Sequence, residues 1–282
     1  QRQMCIRDRY YPVLQPPSLQ NLPRRALGRL CRKLGRPIAL PMAIPSEVHQ
    51  LFLGCLDRSY DKVEPELNAL LKMVAHNPDR SFNIIIGKTD YLAAEELSRS
   101  LPSNLARIRV NNVNVQDDRI RYLPMGRDFR NHEVLDAHLP ESNKSILCYC
   151  NFSVSTHPIR VKVHGLLKTK EFIQFEHMGK FLEYPISRNS YLDKLNQSRF
   201  AICPRGNAID TFRLWDCLYL GTIPIVVKEA VFHEYLTDLP ILFLDNVEQF
   251  ASIDEKYLEE KYDEMLSTRY NYSKLTIDHW LN

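Results

Sequence analysis

Apolar residues beyond residue 45 are arranged in two different patterns along the chain. Uninterrupted apolar runs, such as Phe82–Ile86 and Ile223–Val227, are typical of strands buried on both faces of a sheet. Between such runs, as in the segment 62–75, apolar residues recur every three or four positions, which is the spacing of one helix face. Strands that alternate with helices in this way predict parallel sheets with right-handed crossovers.

The pattern predicts an α/β fold with two Rossmann-like parallel-sheet units, the first small or truncated, followed by C-terminal helices. The predicted strands are Phe82–Ile86, Arg107–Val110, Ile120–Leu123, 145–152, Phe172–Phe175, Phe200–Cys203, Ile223–Val227 and Ile241–Leu244. The predicted helices are Lys62–Ala75, Leu92–Ser100, Glu133–His138, Ile159–Lys168, Ser190–Asn196 and Thr211–Leu220, with two more in the tail that break near Tyr270.

Five segments follow from this organisation. Residues 1–9 contain "MCIRDR", which is how the end of a common sequencing adaptor reads when translated, and we interpret them as a scar rather than native sequence. The other segments are a basic, Pro-rich leader at 10–44, a first α/β unit at 45–140, a second α/β unit at 141–252 and helices at 253–282.

Charge and cysteine usage restrict the partners of this protein. The net charge is +3, but the first 46 residues carry +8, which leaves a charge of −5 on residues 47–282. An acidic body argues against a nucleic-acid-binding face, and a membrane contact would have to come from the basic leader. The scattered cysteines predict free thiols in a reducing compartment, so we favour the cytoplasm, although the N-terminus does not identify the compartment.

Charged residues are concentrated in one strand–loop–helix segment of the second unit. Its loop, "PRGNAID", follows the predicted strand Phe200–Cys203, and ligands of parallel sheets collect where strands end. Gly206 is expected to allow close approach of the backbone and unusual dihedral angles. Asp210 is the expected N-cap of the next helix, and Gly221 its left-handed stop.

Arg213 lies in the first turn of that helix, where the helix dipole disfavours a cation. Either Asp210 or Asp216 compensates it in a salt bridge, or a phosphate bound by Arg205, Arg213 and the first-turn amides does so. We favour the phosphate, because two arginines, a glycine loop and a helix N-terminus converge at a strand end. Asp216, one turn deeper, would then accept hydrogen bonds from ribose or sugar hydroxyls.

The segment "SRFAICPRGNAIDTFRLWDCLYLGTIPIVV" resembles the nucleotide-sugar-binding half of the exostosin-like glycosyltransferases. The resemblance extends to "RIRYLPMGRD", "NFSVSTHPIRVKV", "LPILFLD" and "KLTIDHW", and covers roughly residues 105–282. It implies the two-domain GT-B architecture, with 45–140 as the acceptor-side unit and 141–252 as the nucleotide-sugar-binding unit, and a nucleotide-diphosphate sugar as donor. It also implies that Arg205 and Arg213 contact the donor diphosphate, and that Asp216 stands where the family usually has Glu.

Other strand ends supply the remaining candidates. His157 and Arg160 follow the strand at 145–152 and are expected to face the same crevice, with a helix-start role as the alternative for His157. The predicted donor-binding residues are Arg205, Gly206, Asn207, Asp210, Thr211, Arg213, Asp216, His157 and Arg160. The candidates for the base that deprotonates the acceptor are Asp90, Asp128 and His132, each of which has a plain surface role as its alternative.

These features predict a metal-independent glycosyltransferase that moves a sugar from a nucleotide-diphosphate donor to a glycan or other hydroxyl acceptor. No cofactor is expected beyond the nucleotide sugar as substrate, and the chain contains no Asp-x-Asp motif. Cys148 and Cys150 lack further ligands at finger-like spacing, so no metal site is expected. The alternatives are a non-catalytic nucleotide- or glycan-binding module and a nucleotide-sugar epimerase.

Overall fold

A computed structural model describes residues 48–54, 60–87, 89–126, 140, 143–176 and 186–281. These residues form two compact units that divide between Pro124 and Met125. The predicted leader, the predicted helix Glu133–His138 and the predicted boundary near 140 fall on or beside residues outside these ranges and stay predictions. Within the ranges, no helix has the length and apolar character needed to span a bilayer.

The first unit contains a parallel sheet whose strand order follows the chain. Its strands are β1 (Val48–Gly54), β2 (Ser81–Gly87), β4 (Leu105–Val110) and β6 (Ile120–Tyr122), with a separate pair β3 (Leu92–Ala93) and β5 (Asn112–Val113). Its helices are α1 (Tyr60–Ala75) and α2 (Glu95–Ser100). The predicted stripe on α1 is confirmed, because Leu67, Leu70, Leu71 and Val74 are all buried.

One prediction for the first unit was wrong, and one strand was missed. The helix predicted at Leu92–Ser100 begins only at Glu95, because Leu92 and Ala93 pair with Asn112 and Val113 as a short parallel ladder. The strand β1 was not predicted, although it pairs with β2 over seven residues. Both features depend on partners that are distant in sequence.

The second unit contains a parallel sheet with a different strand order. Its strands are β7 (Ile146–Cys150), β8 (Ile173–Phe175), β9 (Ser198–Ile202), β10 (Ile223–Val227) and β11 (Leu242–Leu244). They are arranged as β11-β10-β9-β7-β8. The chain therefore moves from β7 to one side and later returns to the other side with β9. The carboxyl ends of β7 and β9 form a topological switch point, where such sheets bind ligands.

Helices connect these strands as the sequence predicts. They are α3 (Pro158–Leu167), α4 (Arg188–Asn196) and α5 (Phe212–Tyr219), followed in the tail by α6 (Glu255–Ser267), a 3-10 turn at Tyr272–Leu275 and α7 (Ile277–Leu281). Alternation of parallel strands with helices confirms the predicted α/β class with two parallel sheets. Gly221, just after α5, has a φ of 65°, so the predicted left-handed stop is confirmed.

Candidate functional site

The segment singled out by the sequence lies at the topological switch point of the second unit. The loop at 203–211 follows β9, and the loop at 151–157 follows the neighbouring strand β7. Side chains of both loops and of the helices that begin there therefore meet at one edge of the sheet. This edge is the expected binding region of such a fold.

Arg160 joins the two loops from the first turn of α3. Its Nε donates to the carbonyl oxygen of Arg205 at 2.6 Å, its Nη2 to that of Pro204 at 3.2 Å and its Nη1 to that of Ser153 at 3.0 Å. Burial, and then the charge of Arg213, lower the pKa of Arg160 to about 9, so the side chain remains a cation at neutral pH. The structure therefore gives this predicted donor-binding residue a scaffolding position as well.

Gly206 lies directly against this arginine. A Cβ atom at residue 206 would stand 2.9 Å from Nη2 of Arg160 and 3.5 Å from Oγ1 of Thr156. The close approach expected at this glycine is thus made to Arg160. The unusual dihedral angles expected there were wrong: among the described residues, the positive φ values of glycines belong to Gly126 and Gly221.

Arg213 is the least compensated cation of the site. Its Nε atom is buried without a hydrogen-bond partner among the described residues, and its guanidinium lies 5.9 Å from the ring centroid of Tyr191. The two carboxylates considered as salt-bridge partners are both engaged elsewhere. Oδ2 of Asp210 accepts from the amide of Met125 at 2.7 Å, and Oδ1 of Asp216 accepts from Nη2 of Arg188 at 2.8 Å.

Among the described residues, the groups that raise the pKa of Arg213 are a tyrosine and cysteines rather than carboxylates. Burial lowers the pKa of its guanidinium, whereas Tyr191 and the nearby thiols raise it, and the net change is an increase. Burial, however, also raises the pKa of Tyr191 and Cys217, and raises that of Cys150 to about 12. These neighbours are therefore neutral at pH 7. A half-buried cation that has no anionic partner among the described residues is poorly compensated, which points to a ligand as its partner.

Arg205 is held loosely beside this position. Its Nε and Nη2 atoms lie 3.4 Å from the carbonyl oxygens of Gly206 and Asn207, respectively. Its Nη1 atom lies 3.7 Å from Oε2 of Glu229, which follows β10. Contacts of this length are weak, so an anion could take over the guanidinium at little cost.

The N-cap of α5 is Thr211, so the prediction of Asp210 was wrong. Oγ1 of Thr211 accepts from the amide of Leu214 at 3.4 Å. The carboxylate of Asp210 is fully buried and accepts instead from the amide of Met125 and, at 2.9 Å, from Nε1 of Trp215. It fixes the loop to the helix and to the chain at the start of the unit.

Asp216, predicted to bind hydroxyls, lies one turn deeper in α5. Its side chain is 1% exposed and forms an ion pair with Arg188. The hydroxyl of Tyr191 lies 3.5 Å from Oδ2 of Asp216, and the ring of Tyr191 is 5.0 Å from the guanidinium of Arg188. A ligand hydroxyl would have to replace one of these contacts.

The other predicted donor-binding residues lie at the rim of the same edge. His157 is the N-cap of α3, and its Nδ1 atom accepts from the amide of Ile159 at 3.2 Å, as its helix-start alternative proposed. Burial, then Arg205 and Arg160, lower the pKa of His157, so it is neutral at pH 7. Asn207 is exposed at the loop tip.

Of the three candidates for the acceptor base, the structure describes Asp90. Asp90 is half-buried in the loop after β2. Asp128 and His132 lie outside the described residues. Their assignment stays a prediction.

Several residues that shape the site were missed from the sequence. Arg188 pairs with Asp216, and Glu229 and His233 follow β10 on the side of Arg205. The strand-end rule that selected Arg205 also selects Lys228 and Glu229, directly after the apolar run Ile223–Val227, so the sequence did contain that signal. Arg188 had no comparable signal.

Cysteines of the unit are buried and free, as predicted: Cys148, Cys150, Cys203 and Cys217. The sulfur atoms of Cys203 and Cys217 lie 3.6 Å apart. In the part of the chain that the structure describes, no group of three His, Cys, Asp or Glu side chains could hold a metal ion.

Comparisons with known proteins give one family and one solved structure of note. The family model described as "RXYLT1 C-terminal domain" matches residues 127–271, which contain the whole site segment. A crystal structure of an alpha1,3-fucosyltransferase is similar with a TM-score of 0.45 and 13% sequence identity, covering 85% of this chain and 77% of that chain. No curated protein matches the sequence.

Proposed function

The chain belongs to the RXYLT1 C-terminal domain family, which is of the exostosin-like glycosyltransferase type, and we propose that it transfers a sugar from a nucleotide-diphosphate donor to a hydroxyl acceptor. Membership confirms the resemblance stated from the site segment. It makes the protein glycosyltransferase-like. The donor, the acceptor and independence from metal ions belong to the proposal.

The observation that carries this proposal is Arg213, a half-buried cation whose buried Nε atom has no hydrogen-bond partner among the described residues, at the switch point of a parallel sheet. A diphosphate placed there would compensate Arg213 and would attract the loosely held Arg205. The backbone amides at 211–213, at the N-terminus of α5, would add further hydrogen-bond donors to such an anion. Arg160 would keep the loop in position through its three carbonyl contacts.

The proposed chemistry is electrostatic stabilisation of a leaving group. As the bond between sugar and diphosphate breaks, negative charge develops on the diphosphate, and preorganised guanidinium groups favour that state over the ground state. The arginines would supply the positive charge without a metal ion. A base on the acceptor side, for which Asp90, Asp128 and His132 are the candidates, would remove the proton of the attacking hydroxyl.

Isothermal titration calorimetry with UDP, GDP and their sugar derivatives tests the donor site. We expect Arg205→Ala and Arg213→Ala each to weaken binding about 100-fold, because each removes a charge-assisted contact of about 2–3 kcal/mol. Arg199→Ala is the matched control, since Arg199 lies on β9 with an ion pair to Glu259 at 3.8 Å. Unchanged binding in both site variants would contradict the proposal.

Turnover separates the enzyme from a binding module. A transferase releases nucleoside diphosphate from its donor, by transfer or by slow hydrolysis, whereas a module binds the donor and leaves it intact. An epimerase would interconvert donor sugars without an acceptor. Incubation with a panel of nucleotide sugars, followed by chromatography of the products, distinguishes these three outcomes.

A further inference from the structure

Two carboxylates lie close enough to the arginines to serve a donor hydroxyl, and they differ in availability. Asp216 is 1% exposed and forms an ion pair with Arg188 at 2.8 Å. The side chain of Glu229 is 25% exposed, and its Oε2 atom lies 3.7 Å from Nη1 of Arg205. Glu229 therefore exchanges its partner more easily than Asp216 does.

Glu229 is also positioned by its backbone. It lies two residues after β10, and Arg205 lies three residues after β9, with which β10 pairs in parallel. The amide of Glu229 donates to Nδ1 of His233 at 3.2 Å, and the amide of Lys228 donates to the carbonyl oxygen of Leu244 at 2.8 Å. The main chain is thus fixed while the carboxylate remains accessible.

We propose that Glu229 is a specificity-determining residue that accepts a hydrogen bond from a hydroxyl of the donor's ribose or sugar once Arg205 turns to the diphosphate. This inference rests on the proposed function. Without a ligand, the carboxylate of Glu229 lies beside the guanidinium of Arg205. With a ligand, the carboxylate loses that contact and accepts a hydrogen bond from a ligand hydroxyl. Glu229 therefore favours diphosphates that carry a sugar.

The same carboxylate disfavours bare inorganic anions. Pyrophosphate bound at Arg205 and Arg213 would place negative charge beside Glu229 and would offer no hydroxyl in return. Like charges in a partly buried site repel strongly, and specificity is often obtained by such a repulsive contact. Burial raises the pKa of Glu229 and Arg205 lowers it, with a net increase, which agrees with a carboxylate that needs a donor.

Calorimetry with two ligands tests this selectivity. The measured quantity is the ratio of the Kd of inorganic pyrophosphate to the Kd of UDP or GDP, whichever binds the wild type. We expect this ratio to fall about tenfold in Glu229→Gln, which keeps the shape but removes the charge, and further in Glu229→Ala, which also removes the hydrogen bond. Glu234→Gln is the control, because Glu234 is exposed on the next 3-10 helix, Val231–Leu236.

A ratio that stays within twofold of the wild type in both variants would overturn the inference, while binding of the nucleoside diphosphate by the wild type would leave the proposed function standing. A wild type that binds neither ligand would contradict the proposed function itself, and this inference with it. Circular dichroism of each variant establishes that the fold is retained.

Discussion

In the first unit, the loops after β2 and β4 carry neutral polar groups that bond to one another. The amide of Thr89 donates to Oδ1 of Asn111 at 3.3 Å, and Nδ2 of Asn112 donates to the carbonyl oxygen of Thr89 at 2.8 Å. Nδ2 of Asn111 donates to the carbonyl oxygen of Leu123 at 2.8 Å, which joins the loop after β6 to the same network.

In the second unit, the equivalent edge carries arginines, and they are not satisfied in the same way. Arg160 is fully engaged, whereas Arg205 has only long contacts and Nε of Arg213 has no hydrogen-bond partner among the described residues. The strand order differs as well, because the first sheet advances in one direction and the second reverses between β7 and β9. Buried polar groups that satisfy one another hold a fold together, and buried charges left over mark a ligand site.

Replacement of Arg160 should have the largest effect on the stability of the second unit. We expect Arg160→Met to lower the free energy of unfolding by about 4 kcal/mol, because three carbonyl oxygens, one of them in a buried hydrogen bond and two in part-buried ones, lose a charged donor. Urea denaturation measures this. Lys162→Met, two residues along α3 and exposed, is the control and should change stability by less than about 0.5 kcal/mol. A loss as small as the control's would show that the loops do not depend on Arg160.

Acid should also weaken the second unit, through His233. Burial, then Lys228 and Arg205, lower the pKa of this buried histidine to about 4, from about 6.5 in the unfolded chain. The unfolded state therefore binds a proton first, and stability is full above pH 6.5 and falls as the pH drops toward 4, by about 3 kcal/mol.

His233→Gln isolates that effect from the carboxylates that titrate in the same range. Urea denaturation at pH 7 and at pH 4.5 gives the difference for each protein. We expect a smaller pH-dependent loss in the variant than in the wild type. Equal losses would show that His233 does not set the acid sensitivity.

Asn111→Ala should separate structure from binding in the first unit. We expect it to lower the free energy of unfolding by about 2 kcal/mol, since it leaves the amide of Thr89 and the carbonyl oxygen of Leu123 without their partner. The Kd of the nucleoside diphosphate should stay within about twofold of the wild type. Gln116→Ala, at an exposed position of the same unit, is the control for stability. Loss of nucleotide binding in Asn111→Ala would contradict the view that the polar network of the first unit is structural and that the arginines of the second unit bind the ligand.

The sequence was sufficient for most elements and for the place of the site. Local periodicity determines strands such as β2 and β10 and helices such as α1, and the strand-end rule located "PRGNAID". Local reasoning did not distinguish Thr211 from Asp210 as the N-cap. That choice depends on Trp215 and Met125, which supply the buried donors for Asp210.

Partners that are distant in sequence explain the remaining differences. Arg188 reaches Asp216 across 28 positions, and Arg160 reaches the loop carbonyls across 44 and 45. Neither contact leaves a periodic trace in the sequence. The position of the candidate site was therefore predictable from the sequence, whereas the contacts that hold Arg160 and Asp216 in place required the fold.

Thermal unfolding of Arg213→Met tests most directly whether the second edge holds an uncompensated charge that awaits a ligand. Without nucleotide, we expect the Tm of the variant to exceed that of the wild type by about 2–4 °C, because a half-buried cation that has no anionic partner among the described residues is replaced by an apolar chain of similar length. Saturating UDP or GDP should raise the Tm of the wild type and leave that of the variant unchanged. A lower Tm without nucleotide, together with an unchanged nucleotide-dependent increase, would contradict the account.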